Sequence, residues 1–390
     1  MADRAFRRHP RLGGWVRAFE MTIKVAEPDR WHAVSPALTR AVSFLSDDNW
    51  QFTFEDIGRR SPRPVRAHER PIDDKAAYGP VALFSGGLDS FCGACKLLLE
   101  ARDQPRRPIF VTSYVKARRR LSGLLQDIAG FENVTAFEHL PIQGEMVGAK
   151  AKGLRAVELP ERSRRTRSLY YLMKALAAAI EFRAGEIHLY ENGILALNLP
   201  MRPSDTGSRA TRHAHPYFLK LVNALFQELR GQNNIAVLNP FVELTKSEIL
   251  RFSAGSESLI GDTVTCWGYP NATLAYHGAT HCGHCLPCLI RRFALAANDI
   301  SEVAKIYHDS KFLSMAKKNY PKLKPDTWSE ARKLMAFVKW VDNSKPSDMP
   351  WTFGGSLLHL APEFSKTEIE KIWSLYRRFA NEVNRVVKAA

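Results

Sequence analysis

The alternation of apolar and polar positions divides the chain into three stretches. In the first, residues 19–25 and 51–55 alternate with the period of half-buried strands, and 33–45 repeats with the period of a helix. They predict a small α+β prefix over residues 1–75. Its end, 59–71, reads as a linker because Pro62, Pro64 and Pro71 lie there among five arginines. The prefix carries no recognisable chemistry, so its expected role is docking, to the main domain or to another protein. In the second stretch, 76–300, short apolar runs alternate with longer amphipathic ones. Strands are predicted at 81–84, 108–114, 134–137, 186–190 and 235–238, and helices at 90–101, 119–130, 168–185 and 216–230. That order predicts an α/β fold with a doubly wound parallel sheet, whose ligands sit beyond the C-terminal ends of the strands. The third stretch, 301–390, predicts a helical, basic C-terminal extension at 311–349 and 365–389, with Trp328, Trp340, Trp351 and Trp373 in its packing.

Three segments at predicted strand ends carry the candidate chemistry. The first is Ser85-Gly86-Gly87-Leu88-Asp89-Ser90, between a strand and a helix. Backbone N–H groups gathered there at the positive end of a helix dipole form a phosphate cradle. Gly86 and Gly87 leave room for an anion, Ser85 and Ser90 add hydroxyls, and Asp89 suits a Mg²⁺ that bridges phosphates. No Gly-Lys-Ser/Thr closes the loop, so it is not a Walker motif. All six positions match the SGGxDS signature, and the segment resembles the PP-loop ATP pyrophosphatases. The resemblance implies that ATP binds at residues 85–90 and is cleaved between its α and β phosphates, with adenylation and release of pyrophosphate.

The second segment, 191–216, is long and polar for a strand-to-helix connection. Asn192, Asn198, Arg212 and His215 offer the donors and acceptors that a polar heterocycle with a carboxylate requires. Substrate recognition is the functional reading, and a surface loop is the plain one. In the third segment, Asn239-Pro-Phe-Val-Glu-Leu-Thr-Lys-Ser-Glu-Ile, Thr245 and Glu248 have the spacing of a helix capping box. Lys246 projects from the same first turn. It is either a solvated lysine or, as the PP-loop resemblance implies, a group beside the polyphosphate.

Composition narrows the class. With 45% apolar and 25% charged residues, a disordered or fibrous chain is excluded. No apolar run reaches the roughly eighteen residues of a membrane span. The N-terminus lacks the apolar core of a secretory signal, so the expected compartment is the cytoplasm. The net charge of +16, with arginines grouped at 4–11, 59–70, 102–120 and 155–167, points to attraction for a polyanion. Nucleic acid, an acidic protein and nucleotide phosphates all fit, but no RNA-module motif is visible and nucleic acid is not favoured.

Cysteine usage is more specific. Cys266 precedes two consecutive C-x-x-C turns, Cys282, Cys285 and Cys288, giving the four sulfurs that tetrahedral Zn²⁺ requires. With no ligand position left for water, a structural site is expected, and an iron–sulfur cluster is the competing occupant. Cys92 and Cys95 share the C-x-x-C spacing, but on an apolar helix they read as core.

The SGGLDS loop, the Asn239 to Ile249 segment and the Thr265-Cys266 … His281-Cys-Gly-x-Cys-x-x-Cys288-x-x-Arg291 segment occur in that order. Together they resemble the QueC family, the 7-cyano-7-deazaguanine synthases of queuosine biosynthesis, over residues 79–300. The resemblance implies a deazaguanine carboxylate that attacks the ATP α-phosphate, and an amine that then displaces AMP. Asp89, Ser90 and Lys246 would be the catalytic residues, and Arg167 would grip phosphate or carboxylate. The family's Tyr-Pro-Asp-Cys-Arg signature is absent, and the prefix and extension are additional. These departures resemble the QueC-like proteins of bacterial anti-phage operons, the QatC branch, which implies a protein partner from the same operon and an acceptor amine on that partner or from ammonia. Two rivals make different predictions: a tRNA-thiolating PP-loop enzyme would need Cys92 or Cys95, and a non-catalytic scaffold would not need Asp89.

Overall fold

The computed structural model describes residues 16–58, 77–103, 106–113, 118–134, 136–142, 165–199, 211–231, 235–267, 279–301, 306–308, 329–348 and 364–389. Five parallel strands form the central sheet: β3 (Ala77–Leu83), β4 (Arg106–Thr112), β5 (Glu138–Pro141), β6 (Glu186–His188) and β7 (Ala236–Leu238), in the order β5-β4-β3-β6-β7. The order reverses at β3, so the switch point opens a crevice at its C-terminal end, where the SGGLDS loop lies.

Strand alternation sends neighbouring residues into two cores. Val81, Ile109 and Val111 pack on one face with α4 (Arg167–Glu181) and α6 (Pro216–Arg230). Ala82 and Phe110 pack on the other with α2 (Leu88–Arg102) and α3 (Arg118–Phe131). The sheet is doubly wound, as the sequence pattern predicts. The ladder of β3 shifts register between Tyr78 and Val81, because Pro80 has no N–H to donate.

One strand is displaced from its expected place. The apolar run 134–137 is not β5. Asn133 takes a left-handed conformation (φ 54°), and Val134 donates back to the Ala129 carbonyl at 2.9 Å. This is the helix-ending turn of α3, so Val134 closes a helix and pairing begins four residues later.

In the prefix, β1 (Ala18–Val25) and β2 (Asn49–Asp56) pair in parallel across α1 (Pro28–Ser46). Helix α1 lies against α6, and its Val34, Ala37, Ala41 and Leu45 join the core on that face of the main sheet. Asp47, left-handed at the end of α1, receives Arg165 at 2.8 Å and Arg212 at 2.6 Å. The docking expected of the prefix is therefore onto its own sheet domain. The arginine groups at 4–11, at 59–70 and at 155–164 lie outside the described residues.

The extension supplies α9 (Ser329–Asn343) and α10 (Lys366–Ala389), which pack with α8 (Leu286–Ala297) around Phe337, Trp373 and Tyr376. Trp340 packs against this cluster, while Trp328 and Trp351 lie outside the described residues. Among the described residues, no helix is long and apolar enough to cross a membrane.

Candidate active site and metal centre

The chain leaves β3 through Ser85 and turns at Gly86, whose φ is +74°. A side chain on Gly86 would collide with Leu121 at 2.3 Å, so α3 approaches the loop only because that position is bare. Helix α2 begins at Leu88, earlier than the sequence pattern suggests, which puts Leu88, Asp89 and Ser90 in its first turn. No side chain caps its N-terminus at Gly87. The first-turn N–H groups have no partners within the helix and face the crevice end of the sheet. Ser90 Oγ donates to the Gly87 carbonyl at 3.0 Å and meets Ser85 Oγ at 3.1 Å, tying the loop to its own helix.

Asp89 and Lys246 are both buried and form an ion pair. Lys246 opens α7 (Lys246–Ile249), where Thr245 and Glu248 make the predicted capping box. The other Asp89 oxygen accepts from the Asn192 amide N–H at 2.9 Å and its side chain at 2.6 Å. Burial by itself would raise the Asp89 carboxyl; Lys246 and the hydrogen bonds from Asn192 outweigh it and hold the carboxyl below its ordinary value. Three connections thus converge on one carboxylate, from the loop after β3, the turn after β6 and the helix after β7.

Glu191 follows β6 and is held at its backbone by Asn239. The Asn239 side chain accepts from Glu191 N–H at 3.2 Å and donates to the Glu191 carbonyl at 2.8 Å. The Glu191 carboxylate meets His213 Nε2 at 2.9 Å. Burial, and then the nearby Asp89 charge, push this carboxyl up.

The four cysteines form a second centre beside the loop. Their Sγ atoms all lie within 4.8 Å of one another, with Cys282–Cys288 at 3.9 Å and Cys285–Cys288 at 3.4 Å. Four thiolates around Zn²⁺ stand about 3.8 Å apart, so the set fits a tetrahedral ion. Bonds from Cys266, Cys285 and Cys288 bring Cys282 far below the ordinary thiol range. Cys266 falls to about 6: its bond with Cys282 opposes this, and those with Cys285 and Cys288 prevail. N–H groups point at the sulfurs, Cys282 N–H at Cys266 (3.4 Å) and Cys285 N–H at Cys282 (3.3 Å), as they do around thiolate ligands.

The centre is wired to the loop. Arg291 on α8, fully buried, donates to the hydroxyls of Thr263 and Thr265 and to the Ile260 carbonyl. Between those threonines, Val264 N–H donates to the Gly86 carbonyl at 2.9 Å. His281 accepts from Thr265 N–H through Nε2 at 3.1 Å, and burial and then Arg291 lower its pKa to about 3, so the ring is neutral.

Residues 213–299, which contain Lys246 and all four cysteines, match the sequence model of the family described as Queuosine biosynthesis protein QueC. This segment is similar to QueC. A 7-cyano-7-deazaguanine synthase of Saccharolobus solfataricus is 24% identical over 245 residues, covering 59% of this chain and 48% of that protein. The chain therefore spans about half the length of this curated relative. Among solved structures, a U34-tRNA thiolase NcsA from Methanococcus maripaludis, described with its [4Fe-4S] cluster, aligns over 70% of this chain and 75% of that one, at 13% identity and a TM-score of 0.31.

The residues expected to bind substrate fall in different places. Asn192 is at the site, bonded to Asp89 and capping the short helix α5 (Gly193–Leu197) through Leu195 N–H. Asn198 ends that helix in a left-handed turn and donates to the Thr211 carbonyl at 3.1 Å. Arg212 is buried at the prefix seam, donating to Asp47 and to the Phe44 carbonyl at 2.7 Å. His215 caps α6, accepting from Tyr217 N–H at 3.2 Å, and burial and then Arg212 lower its pKa to about 3. Arg167 is exposed and lies over the Tyr171 ring. Residues 200–210 of the same polar segment lie outside the described residues.

Glu191, His213 and Asn239 were not singled out by sequence reasoning. The available signal was the Glu-Asn-Gly run and the leading Asn of Asn-Pro-Phe, each directly after a strand.

Proposed function

We propose that the chain uses ATP to adenylate the carboxylate of a 7-deazaguanine such as 7-carboxy-7-deazaguanine, and then joins the activated acyl group to an amine. The observation that carries this reading is the Asp89–Lys246 pair, buried at the uncapped start of α2 where three strand ends meet. A carboxylate is already a nucleophile, so the first step needs positioning and charge neutralisation. The loop N–H groups and the hydroxyls of Ser85 and Ser90 are the phosphate donors, with Gly86, Gly87 and Leu88 as the loop backbone. Lys246 neutralises charge that develops on the polyphosphate as pyrophosphate departs. Asp89 is the side chain that would hold Mg²⁺, which screens the phosphates when bound. Cys266, Cys282, Cys285 and Cys288 would hold Zn²⁺ in a structural role, since the four sulfurs complete its tetrahedron. Asn192, buried and bonded to Asp89, holds that carboxylate in place. The anti-phage setting and a protein partner from the same operon, supported by the sequence resemblance, belong to the same proposal.

A thiolating activity finds less support. Both Cys92 and Cys95 are fully buried; burial and then a neighbouring thiol push Cys92 well up, and burial pushes Cys95 to about 12. Thiols in that state are inert.

Pyrophosphate release from ATP, with and without 7-carboxy-7-deazaguanine, tests the reading. Release that depends on the deazaguanine and is lost in Asp89→Ala is the expected result. No release with any deazaguanine, with partner proteins present, would turn the reading toward a nucleotide-fold scaffold.

A further inference from the structure

The two half-reactions of the proposed activity make different demands. The carboxylate needs no base, but an amine such as ammonia is protonated at neutral pH and must shed a proton before its nitrogen can attack. The loop and the Asp89–Lys246 pair are committed to the nucleotide, with Asp89 held by Lys246 and Asn192.

Glu191 and His213 form a second constellation at the same sheet edge. His213 Nε2 faces the Glu191 carboxylate at 2.9 Å, which assigns the ring proton to Nε2 and leaves the lone pair on Nδ1. Among the described residues, Nδ1 has no hydrogen-bond partner. The His213 side chain is 37% exposed and that of Glu191 18%, so the pair reaches solvent through the histidine. Both residues are held. Glu191 is gripped at N–H and carbonyl by Asn239. His213 stands in a short turn between Arg212, anchored on Asp47, and His215, whose N–H returns to the Arg212 carbonyl at 3.2 Å. A solvated surface pair contributes little and needs no such support. Asn192, the next residue after Glu191, bonds Asp89 through its N–H and its side chain, so the Glu191–His213 pair adjoins the proposed adenylation site.

We propose that His213, oriented by Glu191, is the general base of the amine-transfer step. This rests on the adenylating reading above. The ammonium gives one proton to His213 Nδ1, which frees the nitrogen lone pair; the nitrogen then bonds to the acyl carbon, the acyl C–O bond to the phosphate breaks, and AMP leaves with that electron pair. The second proton, acidic on the nitrogen once it is bonded to carbon, passes to solvent, and His213 releases the first to solvent as well. Glu191 fixes the tautomer and stabilises the imidazolium, the role of the carboxylate in other His–carboxylate pairs.

The test separates the steps in the full chain, with ATP and 7-carboxy-7-deazaguanine. Ammonium is one nucleophile; hydroxylamine, largely unprotonated at neutral pH, is the other. In His213→Gln the pyrophosphate burst and the hydroxamate are expected to stay within about threefold of wild type, and carboxamide formation from ammonium to fall about 100-fold. Parallel loss of all three products would assign His213 a structural role and overturn the proposal. Unchanged carboxamide formation would overturn it too, as would a wild-type protein that acylates hydroxylamine but never ammonium. A wild-type protein that releases no pyrophosphate would defeat the adenylating reading itself, and the general base with it.

Discussion

Asp89 and Lys246 show what a single buried charge pair demands. Two desolvated charges stabilise each other only while both are present. Lys246→Met should therefore cost about 3–5 kcal/mol of stability by denaturant titration, with most of it recovered in the Asp89→Asn/Lys246→Met double variant. The acid limb gives an independent check. A carboxyl held below its unfolded value contributes stability above that value and loses it as pH falls through the folded one. Wild type should lose this contribution below about pH 4, and Asp89→Asn should show a flatter acid limb. Both residues were legible from sequence, because SGGLDS and the capping box are local signals. Their contact, across 157 residues, was not. Arg212 shows the opposite failure: its polar surroundings suggested a ligand, and only the fold brings Asp47 to it.

Helix α10 exerts its influence through α7. Thr245 uses its hydroxyl twice, accepting from Glu248 N–H within the cap and donating to Glu382 on α10 at 2.7 Å. Arg378 bonds Glu248 at 2.7 Å and the Glu243 carbonyl at 2.6 Å. The helix turn that presents Lys246 is thus braced from the extension, and Arg378→Ala should cost about 1 kcal/mol and reduce pyrophosphate release. Glu382 makes this brace pH-sensitive, because burial raises its carboxyl to about 7. A carboxyl raised on folding is bound to its proton in the native state, so stability falls as pH rises from the unfolded value toward 7. In Glu382→Gln that decline should be absent, with a gain on the order of 1 kcal/mol at pH 8 by thermal or denaturant melts. Element types and order were readable from periodicity, and every strand of the main sheet was anticipated except β5. There the same apolar signal served a helix-ending turn, a distinction that depends on Asn133 turning left-handed. Periodicity does not encode the packing of α10 on α7, since it shows only that α10 has an apolar face.

The cysteine centre joins the parts of the molecule. It sits where the threonine strap, α8 and the phosphate loop meet, through Arg291 and the Val264–Gly86 hydrogen bond. Cys288→Ser should lower metal content from about one ion per chain and lower the melting temperature by several degrees, and chelation of wild type should reproduce both effects. Weakened pyrophosphate release in the same variant would show the strap transmitting that loss to Gly86. The charge pair has a consequence of its own for handling the gene. The QueC-matching segment, 213–299, carries Lys246 and the four sulfurs, while Asp89 belongs to the other part of the chain. Cut between the two, the gene would yield one fragment with an uncompensated lysine and one with an uncompensated aspartate. Neither would be expected to settle alone, and their reunion would restore both neutrality and activity, which makes this pair the natural hinge for a split-protein reporter of assembly.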